Sequence, residues 1–566
     1  MEERSWHAHY EEGVPPSLDY SPDTLVDFLE ESARRFGDSK ALVFLNRTMS
    51  YAELAREVSR FGRALARLGA GPGVRVAIQL PNLPQTVIAY YAALTVGAEV
   101  VLTNPLYTAR EVEHQWKDAD CKIAVVADWL WDQKLREVRS KLPVRHYVVA
   151  SIPEYLRFPL NFLAPLKLKK QDPPLWAKVA PEEGVHRFRE LVESTPEPAP
   201  RPEIDPEAIA VLQYTGGTTG VSKGAILTHR NLSANVQQIN AWFQGMEPGR
   251  EVILVCLPLF HVFGMTVGMN WAVSTGAAMV LMPNPRDFDL LVRSISKHRV
   301  TLFPGVPALF NGLNEYPGID GIDVSSVKAC FSGSAPIPVD VLERFEALTG
   351  AKIVEGFGMS ETSPVATVNP LQGLRKVGTV GIAVSDTDLK IVDPDDPAVE
   401  MPTGKEGELV LRGPQVTQGY WNRPDETAKT IIDGWLHTGD LATLDEDGYV
   451  RIVGRKKDMI SAGGFKVYPD EVDAVLMSHP DVLEAATVGV PDEKRGETVK
   501  SFLVLRPGAR LTASQVEEFC RESLAAYKVP RQVEFLDELP KSSVMKVLRR
   551  ELRERESAQS AGVDGG

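Results

Sequence analysis

The sequence predicts an α/β protein with a large N-terminal domain of helix-covered sheets and a small α+β domain at the C-terminus. Three observations carry this expectation. With 566 residues, the chain exceeds what one hydrophobic core organises. Its first two hundred residues alternate helical periodicity with short apolar runs, the pattern of parallel sheets covered by helices. After Arg455 a compact helix–strand pattern resumes over a stretch of ordinary domain size.

The elements follow in order. The helical pattern over 24–36 is stopped by Gly37, and ALVFL follows as a strand. A helix over 51–68 ends at GAGPG, VRVAIQL reads as a buried strand, and a helix over 84–96 leads to strand EVVLT, which Asn104 and Pro105 close. Residues 152–170, IPEYLRFPLNFLAPLKLKK, interleave apolar and basic side chains in a chain of formal charge −14. Two readings are open there: a surface that touches anionic lipid headgroups, or a proline-broken loop packed on its own domain. The Pro/Glu-rich run 173–206 reads as surface loop. Residues 252–282 contain no Asp, Glu, Lys or Arg and are long enough to span a bilayer, but Pro258, His261, Asn270 and the small residues at 276–278 interrupt them. The expectation is a buried strand (VILVCL), helix (VFGMTVGMNWAVS) and strand (AMVLM), with a helix that could line a tunnel. GELVLRG and GYVRIVG are shorter strands. The small domain then reads as helix 469–478, strands AATVGV and SFLVL, and helix 514–524, with a disordered tail from about 554.

Bulk properties narrow the function. The net negative charge argues against nucleic-acid binding, which calls for a basic surface. The four cysteines, Cys121, Cys256, Cys330 and Cys520, are far apart and lack metal-ligand spacing, which fits buried thiols in a reducing compartment. The N-terminal MEERSWHAHYEEGVPPS is acidic and has no apolar core, so no secretory signal is read there. The expected location is the cytoplasm, at the inner face of the membrane if 152–170 touches lipid. A homodimer is the default oligomeric expectation.

The chemistry begins at residues 214–225, YTGGTTGVSKGA. Glycines, hydroxyls and one lysine with almost nothing to bury suit a loop that wraps phosphate. A Walker loop needs its lysine directly after glycine, followed by Ser or Thr. Here Lys223 stands three residues past Gly220 and is followed by Gly224, so the Walker pattern fails. The alternative is a flexible strand-to-helix loop offering amides, hydroxyls and an ammonium to a polyphosphate, with the next helix near THRNLSAN.

The order T-G-G-T-T-G-x-x-K-G, followed by LPLFHVFG, resembles the adenylate-forming enzymes: acyl-CoA ligases, luciferases and peptide-synthetase adenylation domains. QYTGGTTGVSKGAILTHRNL is most similar to bacterial long-chain fatty-acyl-CoA ligases. The resemblance implies an adenylation domain over 1–455 that includes a small β-barrel-like part, a hinge at 456–457 and a mobile domain over 458–566. It implies that Thr215, Gly216, Gly217, Thr218, Thr219, Gly220 and Lys223 hold ATP phosphates. In EGFGMSET it places Glu355, Gly356, Phe357, Gly358 and Ser360 around the adenine, and Glu361 on magnesium with Thr215. One carboxylate and one hydroxyl suffice for a cation that keeps phosphate oxygens as its other ligands. In CFSGSAP, Gly333, Ser334 and Ala335 let backbone approach the nucleotide. Asp440 of DGWLHTGD and Arg455 of RIVGRKKD would clamp ribose or phosphate, Lys457 would be the pivot, and Gly463, Gly464 and Phe465 would flank the CoA arm. His261 would lie near the acyl carboxylate or thiol path, although a histidine in an apolar run is more often a core residue. Lys546 in PKSSVMKVLRREL would be the adenylation lysine, together with catalytic Glu361 and Lys223. Family members usually carry glycine where this chain has Met545, and threonine where it has Ser360.

The implied reaction is ATP- and Mg²⁺-dependent activation of a long-chain fatty acid to acyl-AMP, then transfer to CoA. Alternatives are a medium-chain or aryl acid CoA ligase, an acyl-AMP ligase, or, in a different class, a non-catalytic fatty-acid-binding or transport protein retaining the fold.

Overall fold

The computed structural model describes residues 4–195, 201–215, 222–462, 465–492, 495–542 and 545–563, without the side chains of 557–563. Of the expected phosphate-loop and CoA-arm positions, Gly216, Gly217, Thr218, Thr219, Gly220, Gly463 and Gly464 lie outside these residues.

Periodicity located the first elements well. The helix Leu25–Arg35 buries Leu25, Val26 and Leu29, and its Thr24 N-cap is closed by Asp27. Tyr51–Arg67 begins on a Ser50/Glu53 capping box, two donors satisfied reciprocally. The helix Pro84–Thr95 has no polar face because it lies between sheets, and every residue from Pro84 to Leu94 is buried.

Two large sheets form the N-terminal domain. A seven-stranded sheet runs, in spatial order, Val185–Arg187, His146–Ala150, Ile123–Ala127, Arg75–Gln79, Glu99–Leu102, Ile209–Thr215 and Lys223–Thr228. A nine-stranded sheet has Lys352–Gly358, Ala329–Ser332, Leu302–Gly305, Val252–Val255, Ala278–Leu281 and Lys40–Phe44 as its central run. Between the sheets lies one large core to which Leu54, Phe61, Tyr91, Met265 and Trp271 all belong. The uncharged stretch 252–282 is the expected buried strand–helix–strand, but the helical part over Gly264–Asn270 is π-wound, and Gly276 (φ +69°) stops the helix. Among the described residues, no helix is long and apolar enough to cross a membrane. A third, five-stranded sheet follows, with Asp388–Val392, Gly407–Arg412, Trp435–Leu444 and Ile431–Ile432 in line and Val450–Arg455 paired to Trp435–Leu444.

The small domain has its own five-stranded sheet, dominated by the long antiparallel pair Val482–Asp492 and Gly496–Leu505. Its two cores, around Val472, Leu503 and Val516 on one side and Val488, Phe502 and Leu552 on the other, are separate from those of the large domain. Across the junction Arg506 Nη1 meets Glu315 Oε1 at 3.1 Å, and the Tyr468 hydroxyl donates to Glu406.

Three local expectations are corrected. The run 173–206 is not all loop: Val185–Arg187 adds an edge strand, and the helix Phe188–Glu193 buries Phe188 and Val192, two apolar residues outweighed by the surrounding Pro and Glu. After the phosphate-loop segment the chain returns as a strand, Lys223–Thr228, with Thr215 opposite Lys223, so the loop joins strand to strand; the helix then starts at His229, within THRNLSAN as expected. The tail expected to be disordered is helical over Arg549–Val563. That helix is tied down at its start, where Arg549 reaches Asp470 and Asp473, Leu552 is buried, and Lys500 meets Glu556 at 2.6 Å.

Candidate active site

Several of the predicted residues lie where strands of the two large sheets end, the usual place for ligands in open α/β sheets. Strand Ala329–Ser332 runs into Gly333, Ser334 and Ala335; strand Lys352–Gly358 carries Glu355, Gly356 and Phe357; strand Ile209–Thr215 ends at Thr215. These ends are tied together. Gln213 donates to the Phe260 carbonyl at 3.0 Å, next to His261, and Thr266 donates to the Ser363 carbonyl at 2.7 Å. A Cβ on Gly333 would lie 3.1 Å from the Phe263 ring, and one on Gly358 would lie 1.8 Å from the Pro364 carbonyl oxygen, so position 358 excludes any side chain. Ser334 adopts φ +71° and is exposed with Ala335, presenting backbone to the cleft. Glu355 is spent on structure: its carboxylate accepts from the Ile337 N–H at 3.2 Å, and burial raises its pKa to about 7.

One cluster gathers Asp440, Arg455, Lys457, Lys546 and His261. Asp440 is buried within strand Trp435–Leu444 rather than at its end, directly across from Arg455, whose Nε meets Asp440 Oδ1 at 2.7 Å. Its second oxygen, Oδ2, is buried without a hydrogen-bond partner. Burial raises the Asp440 pKa, against the lowering effect of Arg455 and Lys546. Lys546 comes from the small domain. It stands in an open cleft, surrounded by protein yet still in contact with solvent. Burial first, then the Arg455 charge, pulls its ammonium below the ordinary lysine value, while Asp440 and Asp470 pull it back up. Lys457 is drawn down to about 8 by burial and Arg455. His261 feels Lys546 as well: burial, then that ammonium, lowers its pKa to about 4. The Phe263 N–H donates to His261 Nδ1 at 3.3 Å, which leaves the hydrogen of the neutral ring on Nε2. In an NMR titration of ring-labelled protein, His261 is expected to remain neutral at pH 5; a midpoint near 6.5 would contradict this placement.

A second cluster surrounds Glu361, which is buried on a short helical turn, Ser360–Thr362. The Tyr420 hydroxyl donates to Glu361 Oε1 at 2.6 Å. The same ring lies 5.3 Å from Lys223 Nζ, and Lys223 is paired with Glu426. Thr215 is half-buried opposite Lys223. Tyr420 and Glu426 escaped the sequence reading because no motif joins them to Glu361 and Lys223, 59 and 203 positions away; the fold brings them together through the bridge between Ala225 and Tyr420 and through backbone bonds from Trp421 N–H to the Gly224 carbonyl and from Thr417 N–H to the Glu361 carbonyl. Phe465 is exposed and stacks on Tyr527 of the small domain, with ring centroids 4.7 Å apart.

Residues 29–421 match the AMP-binding enzyme family, and 471–546 match the AMP-binding enzyme C-terminal domain. The chain belongs to the AMP-binding enzymes. Over 559 residues, 98% of each chain, it is 42% identical to a long-chain-fatty-acid–CoA ligase of Bacillus subtilis. It is 32% identical to 4-coumarate-CoA ligase 1 of Narcissus pseudonarcissus, over 95% of each chain. Its fold is similar to that of the anthranilate CoA ligase AuaEII in complex with anthranoyl-AMP (TM-score 0.85, 27% identity, 96% of this chain and 98% of that one). ATP-bound MatB from Rhodopseudomonas palustris gives a TM-score of 0.82 at 29% identity, covering 94% and 98%.

In this AMP-binding enzyme the departure at Met545 is accommodated. Met545 takes φ +62°, the left-handed conformation that glycine adopts freely. Its N–H donates to the Ser542 carbonyl at 3.0 Å, and the Ser542 N–H to the Lys546 carbonyl at 2.8 Å, closing a tight turn that carries the lysine. The Met545 side chain packs against the large domain's second core, with Phe303 and Phe310 among its members. Two effects therefore oppose: left-handed strain of about 1–2 kcal/mol in the turn, and apolar burial gained only while the domains are docked. Met545→Gly is expected to relax the turn but weaken docking, lowering adenylate formation about fivefold relative to thioester formation, or about 1 kcal/mol of lost burial. An unchanged ratio of the two half-reactions would remove Met545 from docking.

Proposed function

We propose that this enzyme activates a long-chain fatty acid with ATP and transfers the acyl group to CoA. The observation that carries the reading is Lys546, brought from the small domain beside the Asp440–Arg455 pair and His261. The acyl class rests on similarity to long-chain-fatty-acid–CoA ligases over nearly the whole chain.

The chemistry follows from what a carboxylate lacks. Its charge is delocalised and oxide does not leave, so a thiol cannot displace it. In the first half-reaction a carboxylate oxygen of the acid attacks the α-phosphorus of ATP and the bond to pyrophosphate breaks. Asp440 Oδ2 is the free acceptor for a ribose hydroxyl, Arg455 braces that carboxylate, and Phe357 offers its ring to adenine beside the bare backbone at Gly333, Ser334 and Ala335. Negative charge gathers at the phosphorus, where Lys546 supplies a positive charge already in place. Lys223 serves the departing phosphates once Glu426 releases it. Neutral His261 can donate from Nε2 to the acyl carboxylate. Magnesium fits Glu361, whose second oxygen remains for a cation otherwise held by phosphate oxygens, with Thr215 beside it; when bound it neutralises polyphosphate charge. Among the described residues there is no cluster of three or more protein ligands that would hold a metal alone.

In the second half-reaction the CoA sulfur attacks the acyl carbon and AMP leaves with the bonding electron pair. Lys546 is no longer needed there, and Phe465 is exposed in the present arrangement. Rotation about 456–457 would withdraw the lysine and turn the Phe465 face inward, a rigid-body gating step. The boundaries 1–455 and 458–566 belong to this proposal. The same reading places the enzyme in a reducing compartment, the cytoplasm, supported by four free, buried thiols.

Tyr420→Phe is expected to leave Glu361 poorly positioned and raise the magnesium concentration for half-maximal adenylate formation about tenfold, the loss of one hydrogen bond to a charged group. An unchanged magnesium dependence would detach Tyr420 from the ion. The substrate class is tested by a panel of acids from short to long, with pyrophosphate and acyl-CoA both measured. Long chains should give the highest kcat/KM; a preference for aryl or short acids would reject the class.

A further inference from the structure

We propose that the helix Leu160–Leu168, with the turn before it, is a docking surface for an anionic phospholipid bilayer. None of the helix's residues is fully buried, and Phe158, Phe162, Leu163 and Leu166 are 78, 70, 53 and 66% exposed. This is the densest run of large exposed apolar side chains among the described residues. A soluble protein has no reason to keep such a run in water unless it meets another apolar phase.

The arrangement on the helix is directional. At 100° per residue, Ala164 and Leu168 point one way, and these two pack onto the large domain's core. Phe162, Leu163 and Leu166 fall on the opposite side, facing outward. Phe158 extends that stripe, its ring edge-on to Phe162 with centroids 6.1 Å apart. Lys167, Lys169 and Lys170 flank the stripe, and Arg157 precedes it; none of these four forms an ion pair among the described residues. In a chain of net charge −14, four unpaired cations around an apolar stripe are complementary to anionic headgroups over acyl chains.

The segment is also held firmly. Arg157 exchanges two backbone hydrogen bonds with the Asn46 side chain, at 3.1 Å each. At the far end Leu175 N–H donates to the Leu168 carbonyl at 3.0 Å. A fixed helix with one face anchored and the other apolar and basic can rest in the plane of a membrane without spanning it.

The test is flotation of the full-length protein with vesicles of phosphatidylcholine alone and of an equal mixture with phosphatidylglycerol, at low and high salt. The wild type should float with the anionic vesicles, less so at high salt, and far less with phosphatidylcholine alone. Phe162→Asp/Leu166→Asp should lower the partition at least about tenfold, and Lys167→Glu/Lys169→Glu/Lys170→Glu about fivefold per lysine at low salt. Both variants should keep wild-type activity on a soluble acid, which controls for folding. No flotation of the wild type, equal flotation with both vesicle types, or equal partition of the variants would overturn the proposal. So would a fall in solution mass for the variants without vesicle binding by the wild type, which would assign the face to a second copy of the chain.

Discussion

Lys546→Ala is expected to lower adenylate formation from acid and Mg·ATP by about 10³-fold, while thioester formation from preformed acyl adenylate and CoA stays within a few-fold of wild type. The magnitude is that of removing one preorganised charge from a site where charge develops, about 3–4 kcal/mol. The asymmetry is the sharper part. Lys546 reaches the cleft only through the docked small domain, and its ammonium lies beside Asp440, Arg455 and His261. A residue that merely stabilised the fold would depress both half-reactions together. Rapid-quench measurement of each half-reaction separates the cases, and equal losses in both would reject a lysine that serves one arrangement and leaves the other.

Asp440→Ala is expected to weaken ATP binding about 10- to 100-fold, the loss of one to two hydrogen bonds to a charged acceptor. Asp440 is 3% exposed, and one of its oxygens is used by Arg455 while the other has no partner. A buried, unpartnered carboxylate oxygen is costly, and it is retained where a ligand satisfies it. The substitution also leaves Arg455 without its partner, so thermal stability must be followed alongside. Arg455 is about one-third exposed and its pairing adds little in water; the binding loss should therefore far exceed the stability loss. Calorimetric titration with ATP in the absence of acid reads the first quantity directly, and unchanged affinity would remove Asp440 from the ribose.

Much of this site was legible in the sequence because its residues sit in short contiguous motifs. GSAP follows a strand end, EGFGMSET crosses one, and HTGD lies inside strand Trp435–Leu444; Gly358 shows how tightly such a motif is constrained, since no side chain fits beside the Pro364 carbonyl. What escaped was long-range. Tyr420 holds Glu361 and Glu426 holds Lys223, pairs that meet only in the folded chain. Met545 departs from the family's usual glycine, and sequence alone does not reveal that this methionine adopts the left-handed turn while it packs against the large domain's core. Composition also misled at 173–206, where Phe188 and Val192 decide the local structure and the prolines do not. At 152–170 the alternation of apolar and basic residues was visible, but which of them face outward became clear only once Ala164 and Leu168 were seen to anchor the helix.

The account stands on acid activation through an acyl adenylate in a single two-domain cleft. Its most direct test is a single-turnover experiment with enzyme in excess over radiolabelled long-chain fatty acid. With Mg·ATP and no CoA, one equivalent each of enzyme-bound acyl-AMP and pyrophosphate should form, and adding CoA should convert the adenylate to acyl-CoA and AMP. Formation of ADP and phosphate, or of acyl-CoA with no adenylate on the way, would contradict it.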